Sequence, residues 1–537
     1  MKQTPIIQLV FATLALAILA PVHLFGQLSG PLENRFETLR QNSTTALDAF
    51  GDTLWIAPGM NRIIGSDPAI WVPQNADSVF SGRGRVFSLQ AGQDTLVAGL
   101  GFNLPLDDGS VQTAMGYYRT LDGGNSWNFI PFPLDGQPPQ ELCSDGQTGA
   151  PCDIEFTYGS QTYIRTRITV PQQSPPFEVD FFGDTILSVN WASGLIRSMD
   201  GGDTWERLIL PPSSETELVP ERTYNWSSQN RTGQPINRYD PRFDNNLLAF
   251  GLLIDSQQRV WVGSAAGLNI SENVLDAPLE EIRWRRVRFT GATDGLLGNW
   301  IVNIREQPGT GTIWMSTWNA SNDPADRFGL IATDDGGTTF RQFLPGERVN
   351  DIAFFNSRIY VTTDRGLFIS DDDGQSWRQL RQIESPNTFI HAGASYFSAA
   401  ATQNRLWIGT SDGIASTQDG ETWSILRVDV PLRGGNIYQP DARNVDTFAY
   451  PNPYSPSVHD IVRIKFESSR SGRATLRIFD FGMNRVFTES ADLPASGSYE
   501  FTWNGLDNSG RFAANGTYIY VIDTPDGRRD GKILLLD

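Results

Sequence analysis

Few residues in this 537-residue chain have the type and spacing to do chemistry. There are three histidines, His23, His391 and His459. His23 falls in an apolar N-terminal leader, and the other two stand singly. Gly409-Thr-Ser411-Asp-Gly413 has the spacing of a nucleophile elbow, but an elbow needs a strand-to-helix turn. The corresponding slots Thr363-Asp-Arg-Gly366 and Ser264-Ala-Ala-Gly267 read as hairpin turns. Asp371-Asp372-Asp373-Gly374 is acidic enough for calcium. Placing Gly374 sixth in an EF-hand loop, however, puts Ile369 and Leu380 at the first and last ligand positions, where neither can bind the ion. The 61 Asp and Glu residues would supply a carboxylate pair about 5–10 Å apart for glycoside cleavage without selecting one pair. The expectation is therefore no catalytic residue, no metal and no cofactor. Cys143 and Cys152, the only cysteines, predict a disulfide in an oxidising compartment. A metal or redox pair would need further ligands nearby.

The elements that carry these residues repeat. An apolar strand ends in Gly or Ser, Gly-Leu or Gly-Ile follows, and then comes Ser/Thr-x-Asp-x-Gly-x-Thr/Ser-Trp/Phe. The copies are Thr120-Leu-Asp122-Gly-Gly124-Asn-Ser126-Trp127, Ser198-Met-Asp200-Gly-Gly202-Asp-Thr204-Trp205, Thr333-Asp-Asp335-Gly-Gly337-Thr-Thr339-Phe340 and Ser370-Asp-Asp372-Asp-Gly374-Gln-Ser376-Trp377. A fifth, Ser416-Thr-Gln418-Asp-Gly420-Glu-Thr422-Trp423, reads as having lost its third-position Asp. Counted on Trp55, Val97, Leu187, Trp261, Trp314, Tyr360 and Trp407, the strand recurs at intervals of 42, 90, 74, 53, 46 and 47 residues. Units of about 40–50 residues match four strands per propeller blade. The expected fold is all-β: a seven-bladed propeller, or an eight-bladed one if the 90-residue interval hides an eroded blade, followed by a small Ig-like β-sandwich. An insertion carrying the Cys pair is the preferred account of that interval.

The motif resembles the Asp-box, or BNR, repeat of sialidases, sortilins and photosystem II assembly-factor propellers, over roughly residues 50–430. The resemblance places the boxes on the outer hairpin between third and fourth strands. Asp122, Trp127, Asp200, Trp205, Asp335, Phe340, Asp372, Trp377 and Trp423 are thus structural, not catalytic. Their chemistry agrees: Ser/Thr and Asp bond the turn backbone, Gly supplies positive φ, and the ring packs. A sialidase would need Phe/Tyr-Arg-Ile-Pro, and Asn61-Arg62-Ile63-Ile64 lacks both the aromatic and the proline. Arg259-Val-Trp261-Val-Gly263 and Gly295-Leu-Leu-Gly-Asn299-Trp300 resemble periplasmic sensor propellers over a short stretch.

After Val430 the repeat stops. Tyr450-Pro-Asn-Pro453, Ile478-Phe-Asp480, Trp503-Asn-Gly505-Leu-Asp507-Asn-Ser-Gly510 and Asn515-Gly516-Thr-Tyr518 resemble the FlgD-type Ig-like domain and the C-terminal type IX sorting domains of Bacteroidetes-like bacteria. The resemblance implies export by the type IX secretion machinery, and an Ig-like spacer without a sorting role is the alternative. The expected domains are a signal peptide at 1–26, the propeller at 27–432, a linker at 433–448 and the Ig-like domain at 449–537.

The leader runs from Ile6 to Ala20 behind Lys2, short of the about 20 apolar residues of a membrane span. A formal charge of -19 without a basic stripe argues against nucleic acid. The expected protein is secreted or on the cell surface, with no transmembrane segment after signal removal. Two insertions stand out, Pro131–Asp180 and Pro211–Asn246. Tyr224, Trp226, Arg238 and Tyr239 in the second are candidates for contacting an unknown protein or glycan. The expected function is non-catalytic binding or scaffolding, with a secreted glycoside hydrolase as the alternative.

Overall fold

The computed structural model describes residues 42–58, 61–64, 84–106, 109–143, 147–230, 232–320, 324–385, 388–427 and 446–537. The expected signal segment 1–26 and most of the expected linker 433–448 lie outside them.

The second strand of each repeat is mainly apolar and largely buried, as in Val260-Trp-Val-Gly-Ser264, which is buried along its length. A strand covered on both faces reads as a continuous apolar run rather than an alternation. Such strands must lie between two other sheets, and they do. Among the described residues, seven antiparallel sheets of three or more strands follow one another between Ala46 and Leu426. Their innermost strands are Ala46–Phe50, Gly84–Ala91, Pro176–Phe182, Ala249–Ile254, Trp300–Glu306, Val349–Phe355 and Tyr396–Thr402. Each contacts the next, and Ala46–Phe50 meets Tyr396–Thr402, so the sheets form a closed circle, a β-propeller. Trp55, Val97, Leu187, Trp261, Trp314, Tyr360 and Trp407 each lie on the second strand of a different sheet.

The closing seam is hydrogen-bonded. Thr44 N–H donates to the Thr410 carbonyl, Gln403 N–H to Gly51 and Gly413 N–H to Asn42. Leu47, Leu54, Ile56 and Ile63 of the first sheet pack on Ala400, Trp407 and Ile414 of the last.

The boxes form the turns between third and fourth strands. In the first, Asp122 accepts from Thr120 Oγ1 (2.8 Å), Ser126 N–H (2.8 Å) and Ser126 Oγ (2.6 Å), while Gly124 N–H donates to Thr120 Oγ1. These donors, Ser126 foremost, pull the Asp122 carboxyl down to about 2. The same bonds recur around Asp200, Asp335 and Asp372. The fifth box corrects the sequence reading: its Asp is not lost. The turn is one residue shorter, and Asp419 accepts from Thr417 Oγ1 (2.9 Å), Thr422 N–H (2.7 Å) and Thr422 Oγ1 (2.9 Å). An arginine of the preceding sheet clasps each box. Arg62 donates to the Gly123 carbonyl, Arg119 to Gly201, Arg285 to Gly337, Arg341 to Asp373 and Arg358 to Asp419. The boxes therefore latch neighbouring sheets at the rim.

The 90-residue interval holds a two-stranded hairpin, Ile154–Tyr158 with Gln161–Arg165, and no further four-stranded sheet among the described residues. It packs on the second insertion, whose hairpin pairs Ser227–Gln229 with Pro235–Asn237. Cys143 and Cys152 are disulfide-bonded beside it. Arg167 donates to the Pro151, Cys152 and Gly136 carbonyls and ties the loop down. Changing both cysteines to serine is expected to cost about 2–3 kcal/mol locally. Limited proteolysis should then cut between Glu141 and Asp153 while the ring stays intact; equal resistance with and without the disulfide would contradict this.

Residues 447–535 form a sandwich. Three strands (Thr447–Tyr450, Val462–Ser468, Gly497–Trp503) face four (Arg485–Leu493, Gly472–Phe479, Gly516–Thr524, Gly527–Leu535). Strand Gly472–Phe479 alternates, with Ala474, Leu476 and Ile478 buried among Val462, Ile464, Phe501, Trp503, Tyr520 and Ile533. The sandwich docks on the last sheet of the ring through Arg463, which is 1% exposed. Its guanidinium reaches Asp412 Oδ2 (2.5 Å) and the Phe389 carbonyl (2.6 Å) across the junction and Glu500 Oε2 (3.0 Å) within its own domain. Arg427 of the ring reaches Asp412 (3.3 Å) and Thr388 Oγ1 (2.8 Å), and Thr388 Oγ1 donates to Glu500 (2.8 Å).

Candidate functional site

The innermost strands do more than close a circle. Six of the seven carry a β-bulge in their pairing with the second strand. The extra residue is Phe87, Phe177, Phe250, Val302, Asn350 or Phe397. A bulge re-aims one side chain out of the alternation. All six residues line a single axial cavity of about 220 Å³, together with Thr45–Leu47 of the first strand. The cavity therefore draws on every innermost strand, and Phe87, Phe177, Phe250, Trp318 and Phe397 set aromatic rings in its wall beside charged and polar side chains. Phe177 and Phe250 lie 5.3 Å apart, and Phe250 and Trp300 lie 5.0 Å apart.

Polar groups gather at and behind this wall. Each innermost strand leaves one edge without a ladder partner, and buried N–H groups there need an acceptor. Aspartates supply it: Asp48 accepts from Ala91 N–H (2.6 Å), Asp180 from Ile254 N–H (2.6 Å) and Asp351 from Ala399 N–H (3.1 Å). Each bond ties one innermost strand to the next. Arg305 sits among these acids, 3.3 Å from Asp351 and 3.8 Å from Glu178. Burial works against its charge, but Asp351 and then Glu178 outweigh it and strengthen the guanidinium's hold on its proton. Desolvation raises the carboxyls of Asp48 to about 6, Asp180 to about 7 and Glu178 to about 8. At neutral pH Glu178 thus holds its proton.

The cavity has two further cations. Arg85 stacks its guanidinium over Phe87 at 4.3 Å. Arg348, over Trp318 at 4.0 Å, is paired with Asp364 (3.3 Å).

The residues singled out in the sequence lie elsewhere. Tyr224, Trp226, Arg238 and Tyr239 are buried, Trp226 with 1% exposed. Their rings pack with Phe156 and Tyr163 of the first insertion beneath the paired hairpins. Arg238 bonds Asp153 (3.3 Å) and Asp240 (3.0 Å). The four side chains hold the two insertions together and present no open face. The box residues Asp122, Asp200, Asp335 and Asp372, with Trp127, Trp205, Phe340, Trp377 and Trp423, occupy the rim, remote from the axis in the fold. Ser411 stands in the hairpin turn between Arg405–Thr410 and Gly413–Thr417, where its Oγ accepts from Ser395 N–H (3.1 Å). Among the described residues no cluster of His, Cys, Asp and Glu is placed to hold a metal.

Fold and site together define a β-propeller with an axial cavity, joined to a C-terminal Ig-like domain. Residues 459–527 match the FlgD Ig-like domain family. No curated protein matches the chain. Among solved structures, PorZ of Porphyromonas gingivalis, described as an essential surface component of the type IX secretion system, aligns at 13% identity and TM-score 0.39. The alignment covers 92% of this chain and 66% of PorZ, so the chain spans just under two thirds of that protein. YCF48 from Cyanidioschyzon merolae aligns at 15% identity and TM-score 0.40 over 72% of this chain and 98% of its own. The WD40 propeller of Doa1 aligns at 12% and 0.36, over 71% and 95%.

Proposed function

We propose that the protein is a secreted or cell-surface, non-catalytic binding or scaffold protein, exported by the type IX machinery through its C-terminal domain. One observation carries the non-catalytic part. The aspartates gathered at the axis are occupied by main-chain N–H groups of adjacent strands, which fixes them as fasteners of the ring. The disulfide suits an oxidising compartment. Among the described residues no helix is long and apolar enough to cross a membrane.

The alternative, a glycoside hydrolase, draws on Glu178, protonated at neutral pH and sharing Arg305 with Asp351. A general acid needs such a raised value. A hydrolysis screen of the full chain on neutral and acidic polysaccharides separates the two. No turnover is expected. Turnover lost in Glu178→Gln or Asp351→Asn would overturn the binding reading. Cell fractionation should place the chain outside the cytoplasm and show retention inside when residues 449–537 are deleted; export without them would refute the sorting role.

A further inference from the structure

We propose that the axial cavity binds a single carboxylate carried on an apolar body, with Arg85 as its counter-charge and the collar of bulge residues as its wall. The inference deepens the binding reading above and rests on it.

Arg85 carries the argument. Its Nε and Nη2 are buried and have no hydrogen-bond partner among the described residues. No carboxylate among the described residues pairs with it. Burial alone acts on its charge, pulling the guanidinium down to about 10. The other cations of the cavity are matched, Arg305 to Asp351 and Arg348 to Asp364. A buried charge without a partner is among the costliest groups in a protein. Asp48, Asp180 and Asp351 are anchored to the backbone of adjacent strands, and Glu178 is turned to Arg305, so none is free to compensate it.

The orphaned atoms also state what would fit. Nε and Nη2 form one edge of the guanidinium, two parallel donors spaced for the two oxygens of a carboxylate. That edge neutralises one charge, which disfavours a doubly charged phosphate. Phe87, Phe177, Phe250 and Phe397 line the same cavity, whose about 220 Å³ has room for one ring or a short chain. Ligand sites of this kind are mostly apolar, with a few polar groups that fix orientation.

Calorimetric titration of the full chain tests this with benzoate, its neutral counterpart benzamide, glucuronate as a polar carboxylate, and inorganic phosphate. Benzoate should bind at least tenfold tighter than each of the other three. Arg85→Met should abolish the preference while leaving the thermal midpoint equal or higher, because it removes an uncompensated buried charge. Arg85→Gln serves if the methionine variant does not fold. Equal affinities for benzoate and benzamide, tighter binding of phosphate or glucuronate, or a preference that survives loss of Arg85 would each overturn the proposal. Turnover in the hydrolysis screen would instead sink the non-catalytic reading and leave these affinity ratios standing.

Discussion

Exchanging Arg463 for alanine is expected to cost the full chain about 3–5 kcal/mol and to split its thermal unfolding into two transitions. The side chain joins the Ig-like domain to the ring through Asp412 and Phe389 while holding Glu500. Its own side chain is 2% exposed, against 11% for Asp412 and 10% for Glu500. Water therefore cannot replace the lost partner. Asp412 would keep Arg427 and the His391 N–H, and Glu500 would keep Thr388, Tyr450 and a distant Arg427. Scanning calorimetry checks the expectation, since the two domains have separate cores and melt together only while the junction holds. One unshifted transition in the variant would show that the junction contributes little.

Glu178→Gln is expected to raise stability at pH 8.5 by on the order of 3 kcal/mol and to leave it nearly unchanged at pH 5. The sign follows from the direction of the shift. Burial lifts Glu178 from 4.5 to about 8, so between those values the folded chain holds a proton that the unfolded chain has released. Its contribution is complete below the unfolded value and is lost as pH rises through about 8. Asp180, at about 7, and Asp48, at about 6, act in the same sense over narrower windows. The rim works the other way. Hydroxyl and backbone donors hold Asp122 and Asp200 at about 2, so their contribution is present above the ordinary 3.8 and is lost on acidification. The wild-type chain should thus be most stable in mildly acidic solution. Urea midpoints at the two pH values decide the matter: parallel curves for the variant and wild type would remove Glu178 from this account.

The rim was legible in the sequence and the axis was not. Each box is local: Ser370, Asp372, Gly374 and Ser376 lie within seven residues and make one another's hydrogen bonds. Their order along the chain is therefore the signal. A seven-residue window tuned to the usual spacing still misread Asp419, because a turn shortened by one residue moves the acid out of its slot. The continuous apolar second strands were equally plain. The axial cavity assembles single residues from strands hundreds of positions apart. Phe87 and Phe397 share a wall because both sit at bulges, and a bulge leaves no mark in the residue pattern. Arg85 looked like any polar residue opening a strand. Its importance comes from having no partner for that edge among the described residues, which only three-dimensional packing reveals. Tyr224, Trp226 and Tyr239 show the converse. Aromatic rings on a polar insertion suit a contact surface, and the first insertion packs against these three, a pairing that no local pattern announces.

The seam between Thr44 and Thr410 has a consequence for manufacture. The first sheet hides its apolar face only against the last, so no length of chain that stops before residue 410 can complete the circle. A nascent chain must carry Leu47, Leu54 and Ile63 uncovered until about three quarters of the polypeptide has been made. Such a molecule commits to its final shape late and all at once.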